Sequence, residues 1–186
     1  MKQEKIKTKR LFIGIPIPTS LADLLFEFSQ KQRGIESIRW VNKENLHITT
    51  CFIGNIEVAL VDDIISNTKK ALAGVKPFSL TFEGLCIKPA KKPYMIWAKF
   101  MQNEHFEDMA NNTCRLLIPG QRIRKNPIPH ITMARFKKSF YYDNIDLDIQ
   151  IEEDEIEVKK LILWESIQKP GGVEYLLLES FSLYYS

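Results

Sequence analysis

The chain has 186 residues, 45% of them hydrophobic and 26% charged, with a formal net charge of +3. That length and balance suit one domain, spanning 1–186, with a core that needs no staples, and they exclude a disordered or fibrous chain. No apolar run reaches the length of a membrane span, and "MKQEKIKTKR" lacks the apolar core of a signal peptide, so no membrane contact and a cytoplasmic location are expected.

In chain order, "RLFIGIPIP" (Arg10 to Pro18) reads as a buried strand ended by prolines. Thr19 or Ser20 then caps a helix with Leu21, Leu24, Leu25 and Phe28 as its apolar stripe and Gly34 just past its end. "IRWV" is a short strand and Leu46 to Ile53 a longer one. A second helix is expected from about Glu57 to Ala73. "PFSLTFEGLCIKP" and "YMIWAKF" are strand candidates, followed by a helix near Asn103 to Leu117 with Phe106, Met109, Ala110 and Cys114 on one side. "PGQRIRKNPIP" is a loop by its Pro and Gly content, and Ile128 to Phe136 is a strand. "IEVKKLILWES" and "VEYLLLESFSLY" are the last two strands, joined through "KPGG".

Charge is unevenly spread. Asp143 to Glu157 carries eight acids and no base, an acidic flap on an otherwise basic chain. Basic clusters occur at Lys88, Lys91 and Lys92, at Arg122, Arg124 and Lys125, and at Lys137 and Lys138. Such a surface suits a polyanion, although solubilising charge is the commoner use of it. The three cysteines, Cys51, Cys86 and Cys114, are odd in number and lack metal-ligand spacing, so free thiols are expected.

Of only three histidines, two sit in the same tripeptide, His47-Ile48-Thr49 and His130-Ile131-Thr132. Leu11 lies 36 residues before His47, and Tyr94 lies 36 before His130, with one amphipathic helix inside each interval. The unit strand–helix–strand with His-x-Thr therefore recurs at an offset of about 83, which predicts two related lobes, each giving one histidine to a shared cleft. Alternation puts His47, Thr49 and Cys51 on one strand face, and Leu46, Ile48, Thr50 and Phe52 on the other. By the same rule Arg135 falls on the face opposite His130. A single His-x-Thr on a strand is ordinary; the matched pair is not. His105 has no such setting and reads as a helix-surface residue.

Two histidines can supply one base and one acid near neutral pH, and two threonine hydroxyls can hold phosphate oxygens. Neither motif carries a carboxylate or third histidine at metal spacing, so no metal and no cofactor are expected. No Gly-rich phosphate loop or nucleophile elbow is present.

"HITT" and "HITM", with "RLFIGIPIP", "RWVNKENLHIT", "PHITMAR" and "ESIQKPGGVEYLLL" in that order, resemble the two-histidine phosphoesterase superfamily, in its RNA 2′,3′-cyclic phosphodiesterase (2′-5′ RNA ligase-like) branch. The likeness spans nearly the whole chain, and the long acidic segment departs from it. It implies an α+β fold of two pseudo-symmetric lobes, with antiparallel sheets flanking a central cleft and helices outside. It also implies hydrolysis of a 2′,3′-cyclic phosphate on an RNA end to a 2′-phosphate, without metal. His47 would be the proton donor, His130 the proton acceptor, and Thr49 and Thr132 the phosphate holders. Arg135 would add a contact to substrate, and Phe12 would pack on the terminal base unless it is strand core. A monomer is expected, and ligation would be the reverse reaction. The alternatives are a phosphodiesterase acting on a small cyclic nucleotide or a 2′-5′-linked oligonucleotide, and a catalytically silent RNA-binding module.

Overall fold

The structure is a computed structural model and describes residues 6–32, 38–120, 126–136, 145–149, 151 and 154–184. Its elements are β1 (Thr8–Pro16), α1 (Thr19–Lys31), β2 (Ile38–Trp40), β3 (His47–Glu57), α2 (Val61–Leu72), β4 (Phe78–Lys88), β5 (Met95–Phe100), α3 (Glu104–Leu117), β6 (His130–Phe136), β7 (Glu155–Val158), β8 (Lys160–Lys169) and β9 (Gly172–Ser182). All recorded strand pairings are antiparallel, in the order β7-β4-β5-β6-β3-β1-β8-β9, with β2 added to β6.

This order is symmetric about the β6–β3 boundary. β5 flanks β6 as β1 flanks β3, and β4 and β7 lie outside β5 as β8 and β9 lie outside β1. The expected two sheets are thus two halves of one curled sheet. They join where Ile48 pairs with Ile131, the middle residues of the two His-x-Thr motifs. Both isoleucines are fully buried, and the strand face they mark is the core side. Leu25 of α1 and Phe106 and Met109 of α3 belong to the same core, so the helices' apolar stripes are those the sequence spacing predicts.

Of the three α-helices among the described residues, one begins with a side-chain cap. Asn103 caps α3, its Oδ1 accepting from the Phe106 N–H at 3.0 Å. At α1 the expected hydroxyl cap is absent. Pro18 holds the N-cap position, and no side chain caps the helix. Proline fixes its own φ, here −57°, and so sets the entry to the helix without a hydroxyl. The second helix begins at Val61, because Val58–Leu60 forms a 3₁₀ turn first. Gly34 lies outside the described residues.

The last third corrects the sequence reading twice. "IEVKKLILWES" is two strands broken at Lys159, since β7 pairs with β4 in one half and β8 pairs with β1 in the other. The acidic segment is also more than a charged flap. Ile145 is 9% exposed, and Leu147, Ile149 and Ile151 pack on the core, so apolar residues alternate with the acids. The basic clusters at Arg122, Arg124 and Lys125 and at Lys137 and Lys138 lie outside the described residues.

The cysteines depart from expectation as well. Cys51 and Cys114 form a disulfide with Cα atoms 5.5 Å apart, and only Cys86 is a free thiol. The cause is a β-bulge. Ile13 pairs with Cys51 and Gly14 with Thr49, so Thr50 is an extra residue in β3. The extra residue reverses the alternation, turning Cys51 into the core (1% exposed) toward α3 and Phe52 out of it (53% exposed). Closing a span of 63 residues stabilises a fold by on the order of 4 kcal/mol in the chain-entropy account. Protein never exposed to reductant should therefore show one titratable thiol when denatured, and Cys114→Ala should lose stability on that scale. Three titratable thiols in such a preparation would remove the cross-link.

Candidate active site

A bulge of the same kind interrupts β6. Ile96 pairs with Ala134 and Trp97 with Thr132, which leaves Met133 as the extra residue. Beyond it Ala134 and Phe136 face the core, and Arg135 turns to the side of His130 and Thr132. Strict alternation puts Arg135 on the wrong face; the bulge corrects it. Each half thus carries its bulge directly after the His-x-Thr, and the residue five beyond the histidine points into the cleft: Phe52 in one half, Arg135 in the other.

The cleft has a volume of about 750 Å³. Thr49, Thr50 and Phe52 from β3 line it beside Trp97 from β5 and His130, Thr132 and Arg135 from β6. Asn111 and Arg115 are lining residues that sequence pattern alone did not single out, and Tyr94, which there marked only the spacing of the repeat, lines the cleft with them. Antiparallel register about the Ile48–Ile131 pair runs His47 toward Thr132 and His130 toward Thr49. The two motifs therefore interleave, and each histidine approaches the other half's threonine.

Both rings are held by the same device. The Nδ1 of His47 donates to the Asn45 carbonyl at 2.7 Å, and the Nδ1 of His130 donates to the Ile128 carbonyl at 2.8 Å. A carbonyl only accepts, so in each neutral ring the proton sits on Nδ1 and Nε2 presents a lone pair. The Nε2 of His47 meets the Thr49 hydroxyl at 2.9 Å, which donates to it.

The surroundings of the two rings differ. His130 is half-buried and stacks on Trp97, with ring centroids 3.6 Å apart and planes 19° from parallel. His47 is boxed in by Phe12, Tyr175 and Trp164, at 4.9, 5.2 and 5.4 Å. Gly14 makes room for this packing. A Cβ there would lie 2.6 Å from the Ile48 carbonyl oxygen and 3.3 Å from the His47 ring. Phe12 itself is 3% exposed, covered by Trp164 and Tyr175. It forms a wall behind His47, with no open face on which a nucleobase could pack. His105 is exposed on α3, as expected. Among the described residues, no three His, Cys, Asp or Glu side chains gather where they could hold a metal ion.

Residues 15–97 match the family described as "LigT like Phosphoesterase". A curated protein of Aquifex aeolicus named RNA 2′,3′-cyclic phosphodiesterase is 28% identical, the match covering 96% of this chain and 99% of that one. One of the same name from Methanocaldococcus jannaschii is 25% identical over 92% of this chain and 99% of its own. The chain is thus similar to the LigT-like phosphoesterases. Its fold is that of E. coli LigT in its apo form, with a TM-score of 0.79 at 20% identity over 96% of this chain and 99% of the other. A solved Thermus thermophilus protein gives 0.78 at 26% identity over 94% and 97%.

The box around His47 has an electrostatic consequence. Burial pushes its pKa down to about 4 from the ordinary 6.5; the bond to Asn45 works against the fall, and the charge of His130 adds to it. His47 is therefore neutral in the empty cleft at pH 7. The unfolded chain takes up a proton below pH 6.5 that the fold refuses until about pH 4. Stability contributed by the neutral ring is thus full above 6.5 and fades as the pH falls toward 4, by about 3 kcal/mol. Denaturant melts at pH 6.5 and 4 should show that loss in the parent beyond what His47→Gln shows. Equal losses in both would place the ring in contact with solvent.

Proposed function

We propose that the chain hydrolyses 2′,3′-cyclic phosphate ends of RNA to 2′-phosphates, with His47 and His130 as the acid–base pair. The observation that carries this is the pairing of two carbonyl-anchored histidines, each with a threonine two residues on, through the Ile48–Ile131 register. The curated relatives named RNA 2′,3′-cyclic phosphodiesterase support the reaction class.

In this reading the cyclic phosphate seats between the rings. His130 Nε2 takes a proton from water as the new P–O bond forms. The P–O3′ bond breaks, and His47 Nε2–H returns a proton to O3′, leaving a 2′-phosphate and a free 3′-hydroxyl. Thr49 and Thr132 donate to the non-bridging oxygens, for which Thr49 releases the His47 ring. The flat Trp97 face under His130 favours the imidazolium that forms there. His47, reluctant to hold a proton, is a strong acid once charged. The phosphodiester's negative charge supplies the attraction that charges it. No step calls for a metal or cofactor; ligation would use the same groups with an RNA 5′-hydroxyl in place of water, His130 taking its proton as its oxygen bonds to phosphorus and the P–O3′ bond breaking as His47 protonates O3′.

His47→Ala and His130→Ala should each lower turnover of an oligonucleotide with a 2′,3′-cyclic phosphate end by roughly 10² to 10⁴. The double variant should be little worse than the worse single one, because the two act as a unit. Activity should survive exhaustive chelation with EDTA. Near-parent turnover in His130→Ala would sink the mechanism, and Mg²⁺-dependent recovery after EDTA would sink its metal-free form. Addition of inorganic phosphate should raise the NMR titration midpoint of His47. A midpoint that stays near 4 would reverse the two histidines' roles.

A further inference from the structure

Asn45 and Ile128 hold equivalent places, each two residues before its histidine, and each offers its backbone carbonyl to that ring's Nδ1. Anchoring a ring in this way asks nothing of the side chain, since isoleucine serves in one half. The asparagine amide in the other half has a different use. Its Nδ2 donates to the Val173 carbonyl at 2.7 Å, which joins the first His-x-Thr motif to the last hairpin of the chain.

Val173 lies in an overhanging part of that hairpin. The recorded pairing of β1 with β8 runs from Gly14–Ile162 to Leu11–Glu165 and stops there. From Ser166 to Tyr175 the two strands of the hairpin pair with each other alone among the described residues, and none of these side chains is buried. A two-stranded ribbon is marginal by itself in water, so its position depends on what it touches. Tyr175, two residues past Val173 on the same strand face, stands edge-on to His47 with ring centroids 5.2 Å apart and meets Phe12 at 4.8 Å. Asn45 thus holds the His47 ring by its backbone and fastens one wall of the box by its amide.

We propose that Asn45 is a positioning residue for His47, its amide latching the overhanging β8–β9 hairpin so that Tyr175 stays against the ring and water stays out. What the latch does for turnover rests on the phosphodiesterase reading above; what it does to the ring does not. A wall held in place fixes the tilt of the ring and keeps it in dry surroundings that favour its neutral form. Of the titratable groups around it, His130 of β6 acts on His47 directly and Tyr175 of β9 stands against it, while Arg10 of β1 and Arg135 of β6 reach the Tyr175 hydroxyl. Trp164 of β8 and Phe12 of β1 carry no titratable group. Beside Asn45, Lys43 is paired with Asp23, and Glu44 is exposed. Replacing Asn45 by a neutral residue alters none of these charges, so a change in the basicity of His47 reads the latch itself.

Asn45→Ala removes the amide and leaves the backbone carbonyl that anchors the ring. Asn45→Leu does the same at nearly the original volume, with neither donor nor charge. In both, the NMR titration midpoint of His47 should rise from near 4 by about one pH unit or more toward 6.5. Amide exchange from Ser166 to Tyr175 should quicken while that of β3 keeps the parent's rate. For an oligonucleotide with a 2′,3′-cyclic phosphate end, kcat should fall about five- to tenfold with KM little changed. Tyr175→Ala should raise the midpoint by itself, and Asn45→Ala added to it should raise it little further, because the amide acts through that wall. A folded Asn45→Ala or Asn45→Leu protein whose His47 midpoint matches the parent's would overturn the latch, as would full additivity of the Asn45 and Tyr175 changes. A raised midpoint with the parent's kcat would overturn the positioning role. A parent that turns over no cyclic phosphate end would overturn the phosphodiesterase reading instead, and the midpoints would still decide the latch.

Discussion

Everything at the site hangs on one strand contact, the pairing of Ile48 with Ile131 where β3 meets β6. Among the described residues, the two halves of the sheet have no other ladder between them. Two fully buried isoleucines hold the join, and truncating either would cost the few kcal/mol typical of an emptied core position. Because side chains alternate along a strand, burying the middle residue of His-x-Thr turns both its neighbours to the opposite face, where Thr49, His130 and Thr132 line the cleft and His47 sits within its aromatic box. The antiparallel sense then sets each histidine beside the opposite threonine. One apolar contact thus converts a local sequence pattern into a composite site.

The sequence revealed the parts of this arrangement that depend on repetition. The matched spacing of Leu11 to His47 and of Tyr94 to His130 exposes two lobes, since each interval must hold a strand, a helix and a second strand. It did not reveal the bulges. An inserted residue leaves composition and periodicity almost untouched, yet it reverses every side chain after it. That reversal accounts for three departures at once: Cys51 in the core with Cys114 rather than on the His47 face, Phe52 in the cleft, and Arg135 on the side where a substrate could meet it. Phe12 was ambiguous for another reason. Whether a strand aromatic is a platform or a wall depends on Trp164 and Tyr175, which arrive from β8 and β9 at the far end of the chain.

Symmetry of backbone does not bring symmetry of chemistry. In the register shared by the two halves, Gly14 faces Thr49 where Trp97 faces Thr132. With tryptophan at that place, His130 gains an indole face and stays open to the cleft. With glycine there, the space admits Trp164 from the next strand, and Phe12 and Tyr175 close in beside it. Identical tripeptides therefore sit in different dielectric surroundings, and the basicity of His47 drops. An acid–base pair requires one ring charged and one neutral at the same pH, which two equivalent histidines cannot favour. The substitution of one residue type for another beside the motif, Gly14 against Trp97, breaks the equivalence that the repeat would otherwise impose. The same logic extends five residues on, where Phe52 in one half and Arg135 in the other give the cleft an apolar end and a cationic end. In the proposed reaction a nucleotide, with a flat base at one end and a charged phosphate at the other, would meet a cleft with matching ends.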